Sequence, residues 1–353
     1  MREFRLPFRV WVDTTYKGSA VALLDLRLYE GVLPRMWVFL FAVRNCARLR
    51  PGASIYIHID MSVKLSIMGL GIMGAAMARS AARGGLNTTA WDRSPDRTSS
   101  LASNRVQIAQ SARDAVQDAD IVVTMVSNAD AVLSIMKERE VLPAMKPGAV
   151  WIQMSTIGVE GTERASRLAV TRPEIGFLDA PVSGSKAVAE QGKLVILASG
   201  DQVRAGAVAQ PFFDAIAAQT HWLGDVGQGT RMKLLFNTWI AVLMEGVAEV
   251  SILGDALGID LGRFASLVSG GPLVPAWAVA KLRKIKEGRT AETEFPLRWA
   301  HKDVQLALAA AGEERARLPI LNQIDATWAE AEPGFGANDL SAIYLALSNG
   351  GKR

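Results

Sequence analysis

The chain has 353 residues, enough for about two domains, and half of them are hydrophobic, so a core is readily filled. Its net charge of +4 is confined to the start: residues 1–60 hold nine Lys or Arg against five acids, leaving thirty of each sign in a neutral body with no electrostatic footprint for nucleic acid. A single cysteine, Cys46, excludes an intramolecular disulfide and fits a reducing, cytoplasmic setting, and no uninterrupted apolar run approaches the ~20 residues of a membrane span, so no membrane partner is expected.

Residues 1–62 lack periodicity and read as a poorly structured N-terminal extension. The late apolar stretch Trp37 to Val43 has no clean small-residue cleavage site after it, and the acids argue against a transit peptide. Met61 immediately precedes the first strand-like segment and reads as a natural start.

Val63 to Met68 is that strand, and Gly69-Leu70-Gly71-Ile72-Met73-Gly74 follows it, with Ala75 to Ala78 in helix-forming order behind. Strand, Gly-x-Gly-x-x-Gly and helix are the parts of a dinucleotide site. Gly69 makes the tight turn, Gly71 admits a pyrophosphate close to the backbone, and Gly74 lets the helix lie near the strand. The second strand, Thr88 to Trp91, ends at Asp92, 18 residues after Gly74, where a carboxylate can accept hydrogen bonds from a ribose diol. This favours NAD. Arg93 follows directly and suits the 2′-phosphate of NADP, so both cofactors stay open.

Short apolar strands then alternate with helical stretches, the pattern of an α/β doubly wound parallel sheet. Ala119 to Val126 is a buried strand ending in Ser127-Asn128, where the nicotinamide half would pass, so Val126 and Ser127 are candidate cofactor contacts. Ala149 to Met154 is the next, with Ser155-Thr156 at its carboxyl end, where open sheets bind ligands. Strands at 177–184 and 194–200 flank a turn in which Ser183 and Gly184 offer a hydroxyl and backbone N–H groups suited to a carboxylate. From Gly227 strands give way to helical patterns, with breaks at Gly270-Gly271-Pro272 and Glu332-Pro333-Gly334. Residues 63–225 thus read as a nucleotide-binding domain and 226–350 as an all-helical one. Gly229, Lys233 and Asn237 recur at i, i+4 and share one helix face, a small residue, an ammonium and an amide leaving room for a substrate. His221 and His301 read as structural, and no Cys or His cluster has metal-ligand spacing.

Four ordered motifs carry a resemblance over residues 63 to 347. They are the Gly69 to Gly74 loop, Asp179-Ala180-Pro181-Val182-Ser183-Gly184, Gly227-Gln228-Gly229-Thr230-Arg231-Met232-Lys233 with Asn237, and Phe295-Pro296-Leu297 leading to Lys302-Asp303. Together they resemble the β-hydroxyacid dehydrogenases, the group of 3-hydroxyisobutyrate dehydrogenase, tartronate semialdehyde reductase and glyoxylate/succinic semialdehyde reductases. The resemblance implies a Rossmann domain followed by an all-helical domain that forms homodimers or homotetramers, acting on a small hydroxy acid or semialdehyde. It implies Lys233 as acid/base with Asn237 beside it, Ser183 and Gly184 on the substrate carboxylate, and Thr156 and Lys302 along the cofactor. Ser185 stands where the family usually has a second Gly, Leu197 where Met is usual, and Ser127 where Pro is frequent, which leaves the substrate open. Two other readings remain open from sequence: an imine reductase, and a non-catalytic dinucleotide-binding scaffold.

A chain beginning at Met61 is expected to fold and keep its activity, since the first strand starts just after it. Insoluble or inactive protein on that truncation would contradict this.

Overall fold

The structure, a computed structural model, describes residues 10–13, 56–59, 63–98, 101 and 105–350. Residues 1–62 and 63–353 form two units. In the first, β1 (Val10–Asp13) and β2 (Tyr56–Ile59) pair antiparallel, Val10 opposite Ile59. Beyond these two strands, the expected poorly structured extension lies outside the described residues.

The second unit is built on a sheet. β3 (Lys64–Met68), β4 (Asn87–Trp91), β5 (Val106–Ile108), β6 (Ile121–Thr124), β7 (Val150–Gln153) and β8 (Gly176–Asp179) run parallel in the order β5-β4-β3-β6-β7-β8. Counted along the chain this is the doubly wound order 3-2-1-4-5-6, whose ligand crevice opens where the winding reverses, between β3 and β6. Beyond β8, β10 (Leu194–Gly200) runs antiparallel to it and carries β9 (Val182–Ser183) and β11 (Ala217–Trp222).

Helices cover both faces. Counting those of eight residues or more, α1 (Ile72–Arg83) and α3 (Ala207–Ile216) bury Met77, Phe212 and Phe213 on one face. α2 (Gly158–Val170) lies on the other, where Ala165 packs with Met136 and Trp151. A sheet covered twice needs apolar side chains on both sides of its central strands. Ile121-Val122-Val123 and Val150-Trp151-Ile152 supply them, and every residue of β6 and β7 is buried.

The chain then turns helical: α4 (Gln228–Ala256), α5 (Leu261–Val268), α6 (Ala276–Lys286), α7 (Leu297–Ala311), α8 (Pro319–Phe335) and α9 (Ile343–Gly350). Their core joins Met244 and Ala248 of α4 to Leu297, Val304 and Trp328. Gly270-Gly271-Pro272 breaks the helical run as expected, but Glu332-Pro333-Gly334 does not. α8 continues to Phe335, because the bond lost at Pro333 falls in a final turn anchored by buried Trp328 and Ala331 and closed by Gly336 N–H on the Glu332 carbonyl at 2.8 Å. Among the described residues α4 is the one helix long and apolar enough, by length and composition alone, to cross a membrane, although polar positions such as Asn237 interrupt its apolar runs.

The start of α4 is seated on the sheet by a buried carboxylate. Asp179, at the end of β8, accepts the Thr230 N–H at 2.8 Å and the Thr230 hydroxyl at 2.8 Å, while Ser199 Oγ accepts the Gly229 N–H at 3.0 Å. These groups satisfy N–H donors that a helix start leaves without intrahelical partners. Burial pushes Asp179 up to about 6, against the Thr230 hydrogen bonds that favour its ionised form. Gly229 does not leave room for a substrate, as its spacing suggested. A Cβ there would stand 2.2 Å from the Leu197 carbonyl oxygen and 2.8 Å from that of Asp179, so the glycine serves close contact of helix and sheet. Asp179→Ala, which strands the buried Thr230 amide, is expected to cost about 1–3 kcal/mol and lower the melting temperature. An unchanged Tm would contradict this role.

Candidate active site

The glycine loop after β3 has the shape a pyrophosphate needs. Gly69 has φ +103°, and a Cβ on it would strike the Met125 carbonyl and the Val126 side chain. A Cβ on Gly74 would lie 2.0 Å from the Gly69 carbonyl oxygen, so Leu70, Ile72 and Met73 are carried on a turn that tolerates no side chain at either end. Gly71 opens on empty space within 4 Å and stands at the N-cap of α1 with no side-chain cap. An uncapped, unobstructed helix start is a ready anion site. The chain's own residues therefore fit the phosphates of a dinucleotide.

Asp92 reaches back into this loop. Its Oδ2 accepts the Leu70 N–H at 2.7 Å and its Oδ1 the Ser94 N–H at 2.8 Å, with the Arg97 guanidinium 3.7 Å away. Arg93 beside it is exposed. Opposite, the loops after β6 and β7 are stitched together: Val126 N–H donates to Ser155 Oγ at 2.8 Å, and the Gln153 side chain bonds both the N–H and the carbonyl of Ser155. That leaves Ser127 exposed at the rim and Thr156 half-buried.

From the helical half, Lys302 of α7 donates to the Thr156 carbonyl at 2.5 Å and pairs with Asp303 Oδ1 at 2.8 Å. Asp303 Oδ2 in turn accepts the Asn237 amide at 2.5 Å. The expected residues Thr156, Lys302 and Asn237 are thus joined through an aspartate whose role sequence reasoning missed. Its signal was present, an acid directly after Lys302 in a quoted motif, but its partner on α4 lies 66 residues away. Asn237 Oδ1 is buried and has no hydrogen-bond partner among the described residues.

Lys233 lies one turn before Asn237 and shares the field of the same charges. Loss of hydration lowers its pKa, the Asp303 charge raises it and the Lys302 charge lowers it again, with a net fall from 10.5 to about 8. The residue is half-buried, and its ammonium donates to no described residue. Asp303 is itself pushed up by burial, against the pull of Lys302 and Lys233.

Ser183 and Gly184 make no hydrogen bond to this cluster among the described residues. Ser183 ends β9, opposite Val195 of β10, half-buried and with no side-chain hydrogen bond among the described residues. Gly184 has φ +140°, and a Cβ on it would crowd the Leu194 and Val188 side chains. α4 passes close to β9, so the turn and the lysine belong to neighbouring elements. His301, read as structural, is buried and held by Glu332 at 2.7 Å and Asp325 at 3.0 Å. Among the described residues no group of His, Cys, Asp and Glu has the makings of a metal site.

The comparisons agree with this geometry. Residues 64–224 match the NAD binding domain of 6-phosphogluconate dehydrogenase, and residues 227–347 match the NAD-binding domain of NADP-dependent 3-hydroxyisobutyrate dehydrogenase. The chain is 29% identical to glyoxylate/succinic semialdehyde reductase 1 of Arabidopsis thaliana over 81% of its own length and 98% of that protein's. It is 30% identical to an uncharacterized oxidoreductase of Bacillus subtilis over 81% of its length and all of the relative's. A solved 3-hydroxyisobutyrate dehydrogenase from Salmonella typhimurium superposes with a TM-score of 0.74 at 28% identity, covering 80% of this chain and 99% of that one. With a Gly-rich phosphate turn, a doubly wound sheet and a Lys302–Asp303 pair whose charges act on Lys233, the chain belongs to the β-hydroxyacid dehydrogenase family and is an NAD(P)-dependent oxidoreductase.

Proposed function

We propose that this protein interconverts a small hydroxy acid and its semialdehyde or keto acid, with Lys233 moving the proton. The observation that carries the reading is the cluster of Lys233, Asn237, Lys302 and Asp303, in which one ammonium is unpartnered and drawn to about 8. A bound nicotinamide supplies the hydride in reduction and accepts it in oxidation. In reduction, the Lys233 ammonium donates a proton to the substrate oxygen as the carbonyl carbon gains the hydride, and the lysine is left neutral. In oxidation, neutral Lys233 takes the hydroxyl proton as the carbon loses the hydride. A pKa near 8 leaves both forms accessible close to neutral pH, so one residue serves both directions.

Asn237, its amide nitrogen committed to Asp303, turns its unpartnered oxygen to the substrate hydroxyl. Lys302, bonded to the Thr156 carbonyl, ties the helical half to the cofactor crevice. Ser183 and the N–H groups of its turn hold the substrate carboxylate. The scaffold reading leaves the lowered lysine without a task, and Lys233 together with the Asn237 amide favours hydroxy-acid over imine chemistry. A homodimeric or homotetrameric state and a cytoplasmic location, the latter from the single cysteine, complete the proposal.

Lys233→Ala is expected to fold and bind cofactor while turnover falls by roughly 10² to 10⁴, the usual share of a positioned general acid, and Asn237→Ala should lose less because the proton source remains. Near-native turnover of Lys233→Ala on a panel of small semialdehydes would refute the assignment. The pH dependence has a definite sign. Below about 8 the lysine is the acid and above it the base, so kcat/KM for oxidation should rise through that pH and kcat/KM for reduction should fall. Profiles flat between pH 7 and 9 in both directions would contradict it.

NAD is proposed as the preferred cofactor. Asp92 stands at the ribose end of β4 with its carboxylate fixed by two backbone N–H groups, and Arg97 is already paired with it rather than free for a 2′-phosphate. Comparison of kcat/KM for NADH and NADPH decides this, and a clear advantage for NADPH would overturn it.

A further inference from the structure

Trp299 is a large side chain with no task inside the chain. Five other tryptophans of the second unit, Trp91, Trp151, Trp222, Trp277 and Trp328, pack into its apolar clusters, and Trp239 lies on the surface of α4. Trp299 belongs to none of the clusters although it is half-buried. Its indole N–H has no hydrogen-bond partner among the described residues, whereas an indole taken out of water ordinarily finds an acceptor. The Arg298 guanidinium backs the ring, 5.2 Å from its centroid.

The place of Trp299 on α7 supplies a task. It precedes Lys302 by three residues, Asp303 by four and Leu306 by seven, offsets that keep to one helix face. Contacts fix where that face looks. Lys302 donates to the Thr156 carbonyl beyond the end of β7, and the Leu306 side chain stands 2.7 Å from the position a Cβ would take on Gly158, the first residue of α2. Asp303 meanwhile accepts the Asn237 amide of α4. At 3.6 residues per turn, the direction of Trp299 falls between those of Lys302 and Asp303, and the residue sits about 4.5 Å nearer the helix start than Lys302. The ring is therefore aimed between the cofactor crevice and the cluster that holds Lys233.

We propose that Trp299 is a specificity-determining residue, whose ring walls the substrate end of the site and admits hydroxy acids carrying nothing larger than a methyl branch beside the reacting carbon. The inference rests on the hydroxy-acid reading above and deepens it by naming the substrate class. An indole suits the role because it is large and rigid, and Arg298 stacked on it resists displacement of the ring by a bulky substituent. The unpartnered N–H then faces the water that fills the site before substrate enters.

The test measures oxidation of two matched pairs, glycolate with 2-hydroxy-3-methylbutanoate and 3-hydroxypropionate with its 2-isopropyl derivative. In the pair that the protein accepts, kcat/KM for the unbranched member should exceed that for the branched one by about tenfold or more, the range that one or a few carbon atoms decide in a shaped pocket. Trp299→Leu should lower this ratio by about tenfold or more. Trp299→Phe, with a smaller ring, should give an intermediate ratio, and it keeps the test available if the leucine variant is insoluble. The dissociation constant of the reduced cofactor should be the same in all three proteins. A ratio near one in the unsubstituted protein, or a ratio that neither variant changes, would overturn the inference and leave the hydroxy-acid reading standing. Weaker cofactor binding at an unchanged ratio would place the ring on the nicotinamide and overturn it equally. No turnover of any of the four compounds by protein that binds cofactor would overturn the hydroxy-acid reading and the inference with it.

Discussion

The contact on which the site depends is the seating of α4 by Asp179. A helix of 29 residues pivots easily about a loosely held start, and Lys233 stands only three residues beyond Thr230, the residue that Asp179 grips by both its N–H and its hydroxyl. A second tie reinforces it, since the Thr230 hydroxyl lies 2.9 Å from that of Thr162 on α2. The lysine is therefore fixed to the sheet over a very short length of chain. From there α4 runs away from the nucleotide crevice into the helical core, where Met244 and Ala248 anchor its middle.

Once the helix is placed, electrostatics do the rest. Two lysines and one carboxylate share a half-buried space, and the carboxylate is already engaged by Lys302 and Asn237. Little of its charge is left to offset the loss of hydration at Lys233. Had Asp303 faced Lys233 alone, attraction would have held the ammonium protonated well into the alkaline range. The presence of Lys302 thus does two things: it binds the carbonyl of Thr156 across the crevice, and it keeps its neighbour's proton loosely held.

The parts of this arrangement legible in the sequence were the local ones. The glycine loop, the strand ends at Asp92 and Thr156, and the i, i+4 relation of Lys233 and Asn237 each depend on a few adjacent residues, and the alternating apolar pattern is repeated often enough to disclose the doubly wound sheet. Contacts between distant segments were not legible. Asp179 and Thr230 are 51 residues apart, Asn237 and Asp303 are 66, and no spacing rule joins them. Gly229 shows how a correct periodicity supports a mistaken purpose: it shares a face with Lys233, but that end of the face is pressed on the carbonyls of Leu197 and Asp179. The apolar character of α4 was hidden for the opposite reason. Its hydrophobic residues divide between a core face and an exposed stripe, so polar residues interrupt every run while the average stays high.

The central claim is that protein surroundings, and not the substrate, set the proton affinity of Lys233. It is tested most directly by following the ε-methylene carbon of Lys233 by NMR in lysine-labelled protein across a pH titration, with Lys233→Arg identifying the resonance. The account predicts a midpoint near 8 in the protein without substrate. A midpoint near the ~10.4 of an ordinary lysine would contradict it.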